Sequence, residues 1–317
     1  MKVSVWKEGG LVDSSLDQLG VEFNHPTWIS IVGPTVEHLG KLADVLKIPR
    51  HVLIGRLRSN YPHVDTYPEY TKIFAWYLTP APSGDEFSFH KSAVAILTNS
   101  VSAVTIETSR SNIENRISEE FGNENLANFS VPSRVIYFAA IRLLETYEEC
   151  AEQFERFAER LEEAIPPWPR DFYTGSFHIR KEASRLLRLL NHFRVLAESL
   201  AKGRIHIRFT EEEKRILDTI YDRAIGAEET AEMSLQTVRD LIDMHLDTVS
   251  HDMNRAMRLM AAITCIVAIP SVIGALLGMN LIDVPWPWHL WEIALVGISA
   301  ALFLAIYFYN KGWLAGT

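Results

Sequence analysis

Cysteine is almost absent: Cys150 and Cys265 are the two in 317 residues, too few for a disulfide framework. One falls in a predicted soluble helix and the other in an apolar segment, so they read as free thiols of a reducing compartment. A basic stripe is missing as well. Lys and Arg number 31 against 40 Asp and Glu, a net charge of −9, which argues against a nucleic-acid partner. There is no Walker sequence, no Gly-x-Ser-x-Gly and no Cys-x-x-Cys, and His178, His192 and His206 lack ligand-like spacing. Without a nucleophile or an acid–base constellation, the expectation is a protein that is not an enzyme. The start, Met1-Lys-Val-Ser-Val-Trp6, has neither an apolar core of signal-peptide length nor an Arg/Ser-rich transit character, which predicts a body that stays in the cytoplasm. Charge itself runs out near the end: after Arg258 the charged residues are Asp283, Glu292 and Lys311.

The mean hydropathy of +0.02 hides that partition. Between Leu259 and Leu277 lie 19 residues with no charge, enough to cross a hydrocarbon core of ~30 Å at ~1.5 Å rise per residue. A second apolar run extends from about Trp288 to Tyr309. Roughly the first four-fifths is therefore a water-soluble body and the last fifth is membrane. Arg255 and Arg258 precede the first span and Lys311 follows the second, while the connection between them has no Lys or Arg. The positive-inside rule then places both termini in the cytoplasm. Tyr307, Tyr309 and Trp313 at one edge, and Trp286, Trp288 and Trp291 at the other, fit interfacial belts.

Residues 1–131 mix β-rich runs with helical ones. Val3–Trp6, Thr27–Val32, Lys72–Leu78 and Ala93–Leu97 read as strands, and Thr35–Leu46 as a helix with Val36, Leu39, Leu42 and Leu46 at helical spacing. This is an α/β domain. From Ser133 to Ile165 the apolar positions Leu144, Tyr147, Ala151, Phe154, Ala158, Leu161 and Ile165 describe one amphipathic helix, rich in glutamate on its other faces. Pro166, Pro167 and Pro169 stop it. A basic helix, about Ser176–Lys202, follows with Arg180, Lys181, Arg185, Arg188 and Arg194. Acidic and basic flanks suggest an antiparallel hairpin. Two solvated faces that merely differ in charge fit as well, since exposed ion pairs contribute ~0–1 kcal/mol.

Thr210-Glu-Glu-Glu213 has the form of a capping box, and Gly226 is the lone weak point before Pro270. A helix from Glu211 to Gly278 would be ~100 Å long at ~1.5 Å per residue. So long a helix is expected not to bury its faces within its own chain, which predicts a symmetric bundle of copies. Along it Asp243, Ser250, Asn254, Met257, Ala261, Thr264, Ala268, Ser271 and Ala275 recur at intervals of three, four or seven. A face so small and hydroxyl-bearing suits a narrow water-filled path. It suits close helix packing equally, as Gly274-x-x-x-Gly278 does, and periodicity alone favours packing.

Gly278-Met279-Asn280 tips that balance. Two C-terminal spans joined by a Gly-Met-Asn turn after a long helix resemble the CorA family of divalent-cation channels. Tyr61-Pro-His-Val-Asp-Thr-Tyr-Pro-Glu-Tyr70 also resembles the family's Arg-Pro-Lys-Val-Glu-x-Tyr-x-x-Tyr segment, with the leading Arg replaced. The resemblance implies an α+β membrane protein: a cytoplasmic α/β domain (1–131), a helical hairpin (132–204), a stalk helix (205–256) and a transmembrane domain (257–317). The last would hold spans at about 257–278 and 289–309 around an outer loop, 279–288. It implies a homopentameric funnel in the inner membrane, with the stalk continuing into the pore-lining first span and Mg2+ as the ion transported. Gly278, Met279 and Asn280 would form the outer filter, where five amides offer oxygens to a hydrated ion without a charge that traps it. Met257 and Met260 would fall at a hydrophobic gate, and Pro270 at a kink.

Two departures matter. The outer loop lacks the family's Met-Pro-Glu-Leu, leaving Asp283 as the acid before Glu292. The family's regulatory carboxylates, on a Leu-Glu-Asp stretch and on the stalk, are replaced here by Ile54, Gly55 and Thr219; Asp218, Asp222 and Asp65 are the nearest carboxylates that could hold a regulatory Mg2+. Asp247 and His251, four apart on the stalk, are too few to clamp a transition metal and read as a surface pair. Transport of zinc, cobalt or nickel is one rival reading. A membrane-anchored sensor that binds a ligand in its α/β body is another.

Overall fold

The structure, a computed structural model, describes residues 1–7, 9–16, 19–54, 60–81, 87–107, 112–122, 129–164, 172–203, 205, 207, 209–278 and 289–314. It divides into two units, Met1–Leu241 and Ile242–Thr317. In the first unit the order is β1 (Lys2–Lys7), β2 (Gly10–Asp13), α1 (Leu19–Glu22), β3 (Trp28–Val32), α2 (Val36–Val45), α3 (Arg50–Ile54), β4 (His63–Thr66), β5 (Thr71–Pro80), β6 (Phe89–Thr98), β7 (Ala103–Glu107), α4 (Ile113–Phe121), α5 (Val131–Glu163) and α6 (Phe172–Ala201). The helix α7 (Glu211–Gly278) belongs to both units, and α8 (Leu290–Asn310) to the second.

The strands form one seven-stranded sheet in the order β2-β1-β3-β7-β6-β5-β4, antiparallel except where β3 pairs with β7. Val3, Val5, Ile29, Ile31, Ala95, Leu97, Val104 and Ile106 share a core with Leu39, Leu42 and Ala43 of α2 and Val52 and Leu53 of α3. The longest strands, β5 and β6, are covered further by α5, so Thr71–Ala75 and Ala93–Thr98 are buried at every position. Burial on both faces explains why the central strands read as unbroken apolar runs rather than alternating ones. β7 escapes a reading by hydrophobicity because Thr105 and Glu107 are polar yet buried. Trp28 Nε1 donates to Thr105 Oγ1 at 3.0 Å, and the Glu114 amide donates to Glu107 Oε1 at 2.8 Å. Lys72 is fully buried, and its Nζ donates to the Val52 carbonyl at 2.5 Å, satisfying an orphan acceptor at the end of α3.

The stops and starts follow local chemistry. Ser130 caps α5, its Oγ accepting the Ser133 amide at 3.3 Å, and Pro132 sits in the first turn. At the start of α7, Thr210 and Glu213 form the reciprocal box that the sequence suggested: the Thr210 amide donates to Glu213 Oε2 at 2.6 Å and the Glu213 amide to Thr210 Oγ1 at 3.3 Å.

Two expectations need correcting. Among the described residues no ion pair joins α5 to α6; Tyr147 stacks on Phe193 at 4.6 Å instead, and the charges turn to α7. Arg223 Nη2 lies 2.6 Å from Glu148 Oε2, and Arg194 Nε 2.6 Å from Glu228 Oε2, each raising its guanidinium above the ordinary range. The first part of α7 also does bury a face within its own chain: Leu217, Ile220, Ala224, Ala227, Ala231, Ser234, Val238 and Leu241 are buried, three and four apart. That seam ends with the first unit.

Candidate functional site

In the second unit α7 loses its cover. From Asp243 to Leu276, Ala262 is the fully buried residue among those described, with Ile266, Ile269 and Ile273 half-buried in line with it. This stripe meets α8, where Gly297 is buried and a Cβ placed on it would touch Ile273 Cδ1 at 3.5 Å. Pro270, Ile273 and Gly274 of α7 and Ile293, Ala294, Gly297 and Ile298 of α8 border a cavity of ≈ 270 Å3. Small residues therefore let the two apolar helices approach. Both helices meet the length and hydropathy of a membrane span, and both leave large side chains bare, among them Met260, Ile298 and Phe303.

The nine residues singled out along α7 lie elsewhere on its circumference. Asp243, Ser250, Asn254, Met257, Ala261, Thr264, Ala268, Ser271 and Ala275 are all exposed. At ~100° per residue they fall within an arc of roughly 100°, centred about 140° round the helix from the Ala262–Ile273 stripe. So α8 (Leu290–Asn310) takes one face of α7 and leaves this one exposed. Two of the three hydroxyls on it, those of Thr264 and Ser271, have a defined polarity. Thr264 Oγ1 donates to the Met260 carbonyl at 2.7 Å and Ser271 Oγ to the Val267 carbonyl at 2.8 Å. Each hydroxyl spends its single proton inside the helix and presents lone pairs outward. A face of acceptors receives protons from the water around a cation, whose hydrogens point away from the ion. Water around an anion presents oxygen instead, and finds no donor in such hydroxyls.

Gly278 is the last residue of α7, while Met279, Asn280 and Asp283 lie outside the described residues. The helix runs on through Pro270, which leaves the Ile266 carbonyl without its usual donor. Glu292 is engaged at the start of α8, its Oε2 accepting the His289 amide at 2.9 Å. Asp247 and His251 form no ion pair among the described residues.

The candidate regulatory groups are separate on the single chain. Asp65 stands on β4 with its Oδ2 3.4 Å from His63 Nε2. Asp218 and Asp222 share an exposed face of α7 with Thr219, whose Oγ1 turns back to the Arg215 carbonyl at 3.1 Å. Ile54 ends α3, and Gly55 lies outside the described residues. No group of three His, Cys, Asp or Glu suited to a metal ion comes together among the described residues. Both cysteines are free thiols; burial pushes Cys150 up to about 12.

One arrangement was not legible in the sequence. His251, Asn254, Met257, Arg258 and Ala261 border a groove of ≈ 520 Å3 together with Trp313, from beyond the end of α8. Its signal was there in part: Arg258 and Lys311 bracket the two apolar segments, with Trp313 two residues past the latter.

A large sheet-and-helix body, a helix that runs from it into one apolar span, and a second apolar helix define a class of two-span membrane proteins. The profile of the CorA-like Mg2+ transporter protein family matches residues 23–310, and the chain belongs to that family. It is 21% identical over 306 residues to the cobalt/magnesium transport protein CorA of Thermotoga maritima, covering 91% of this chain and 84% of that one. The complete structure of the CorA magnesium transporter from Methanocaldococcus jannaschii superposes with a TM-score of 0.76 at 18% identity, covering 99% of each chain. The ZntB cytoplasmic domain from Vibrio parahaemolyticus gives a TM-score of 0.58 at 11% identity, covering 79% of this chain and 98% of that one. These structural likenesses speak to the fold, and the family profile to membership.

Proposed function

We propose that this protein is a channel that carries Mg2+ down its electrochemical gradient, and not an enzyme. Five copies would surround an axial pore lined by the open face of α7. Gly278, Met279 and Asn280 would form the filter at its outer end, and Met257 and Met260 an apolar gate at the inner one. The chain would sit in the inner membrane with both termini in the cytoplasm, its body (1–131), hairpin (132–204) and stalk (205–256) on that side and residues 257–317 in the bilayer. Family membership supports transport of Mg2+ or Co2+. The observation that carries the pore is the uncovered face from Asp243 to Ala275, with Thr264 and Ser271 turned so that they only accept. Hydroxyl and amide oxygens are hard ligands, which suits Mg2+, an ion that keeps several of its waters, better than Zn2+. Any regulatory Mg2+ would have to use Asp218, Asp222 or Asp65. The test is ion flux into liposomes holding the purified protein, comparing Mg2+, Co2+, Ni2+ and Zn2+. Asn280→Ala should abolish Mg2+ flux and leave the oligomer intact; undiminished flux would move the filter elsewhere, with Asp283 next to be replaced.

A further inference from the structure

The groove beside Arg258 is unlike the rest of the second unit, because it joins a cation and an indole at the margin of the apolar segments. Trp313 is held in place by the way α8 ends. Gly312 takes φ +73°, a conformation that favours glycine, and the chain turns back on the helix. The Gly312 amide donates to the Tyr309 carbonyl at 2.9 Å and the Trp313 amide to the Phe308 carbonyl at 3.0 Å. The indole then stacks on Phe308 at 5.2 Å. This pairing of a left-handed glycine with an apolar contact one turn back is a Schellman close, so the Trp313 ring is positioned by backbone rather than left to swing. Across the groove, Arg258 leans towards its own helix, Nε donating to the Asn254 carbonyl at 3.3 Å, its one hydrogen bond among the described residues. His251 lies two turns earlier, and among the described residues no carboxylate borders the space.

The level of the groove narrows what can fill it. Arg258 is the last charge before the 19 uncharged residues of the first span, and Lys311 is the first charge after α8. An occupant at that margin needs a negative head and an apolar tail. We propose that the groove seats the headgroup of an anionic phospholipid: the phosphodiester accepts from Arg258 and from a ring N–H of His251, while Trp313 lies against the glycerol. A guanidinium can give a phosphate two parallel hydrogen bonds, and indoles settle at the depth of the glycerol. Basic pockets between spans on the cytoplasmic side are suited to such heads. Asn254, Met257 and Ala261 also belong to the face proposed for the pore, but Arg258 and His251, the groups that would meet the phosphate, lie roughly 100° round the helix from the centre of that face. The proposal rests on the membrane reading of α7 and α8, and not on ion flow.

The experiment uses the full-length protein in detergent and follows its thermal midpoint while dihexanoyl phosphatidylglycerol is titrated, with dihexanoyl phosphatidylcholine and inorganic phosphate in parallel. The glycerol lipid should raise the midpoint saturably, and the other two should not. Arg258→Gln should weaken half-saturation by roughly ten- to a hundredfold, as expected for losing a charge-assisted hydrogen bond. Trp313→Leu should weaken it less. Arg255→Gln, which removes the same charge outside the groove, should leave it unchanged. Unliganded midpoints close to the parent's establish that each variant is folded, and Arg258→Lys should recover part of the response. An equal response to the choline lipid would overturn the proposal, because charge would not matter. An equal response to phosphate would reduce it to a free-anion site. Equal losses in Arg255→Gln, or no saturable response at all because a neighbouring copy fills the groove, would also overturn it. Lipid binding without Mg2+ flux would sink the channel reading and leave the lipid seat standing.

Discussion

Replacing Thr264 with valine tests the acceptor face directly. Valine copies the shape of threonine and is β-branched like it, so the helix and the neighbouring contacts should barely change. What disappears is an oxygen whose proton is already engaged with the Met260 carbonyl at 2.7 Å. A hydrated cation on the axis would lose the water-to-hydroxyl hydrogen bonds it makes at that level. Each contributes ~0.5–1.5 kcal/mol net, so losing two at once raises the barrier by ~1–3 kcal/mol and slows passage by roughly 5- to 150-fold. Thr264→Ser keeps the oxygen and should conduct close to the parent. The assay is a Mg2+-sensitive dye inside proteoliposomes, at matched protein content and with oligomer mass checked for each variant. If Thr264→Val conducts as fast as Thr264→Ser, or if both are slowed alike, the hydroxyl oxygen is not part of the path.

Other outcomes follow from the same geometry. In mild detergent the oligomer should weigh five times the 36.0 kDa chain; a monomer or dimer that still transports would refute the axial pore. If Ile54, Gly55 and Thr219 stand, as the resemblance implies, where the family has regulatory carboxylates, Mg2+ should protect α7 from protease only weakly; sharp, saturable protection lost in Asp218→Ala or Asp222→Ala would reveal a displaced site. Burial, and after it the nearby charge of His63, hold His192 below its ordinary 6.5, where its ring stacks on Tyr61 at 4.2 Å. The unfolded chain therefore takes up that proton first, and stability present above the ordinary value is lost as pH falls through it. The thermal midpoint should drop between about pH 7.5 and about pH 5.5, and drop less in His192→Gln.

The sequence displayed whatever depends on repetition or on a single local rule. The long α7 was legible because Thr210 and Glu213 mark its start and nothing breaks it before Pro270, and α2 and α5 because their apolar residues repeat at helical spacing; α6 was read as a basic helix after the prolines. Strands whose neighbours bury them on both faces were legible as apolar runs. Those whose burial depends on partners far along the chain were not. β7 hides Thr105 and Glu107 by bonding them to Trp28 and to α4, and β4 carries His63 and Asp65 in place of an apolar run. Charge misled as well, since the acidic α5 and the basic α6 each find partners on α7. On the candidate site, spacing alone could gather nine residues onto one face of α7. It could not say that α8 would choose a different face, nor which way the Thr264 and Ser271 protons point.

The sheet ends in two short strands, β2 and β4, of four residues each. Asp13 is on the first, and His63 and Asp65 are on the second. Unpaired strand edges invite other strands to add to them, and short length with charge on the edge discourages it. For a protein whose copies would be held at very high local concentration by a shared membrane, that is a safeguard against sheets fusing sideways into aggregates. Association of the proposed copies would thereby be left to helix surfaces, where contacts can slide or loosen without unzipping the body.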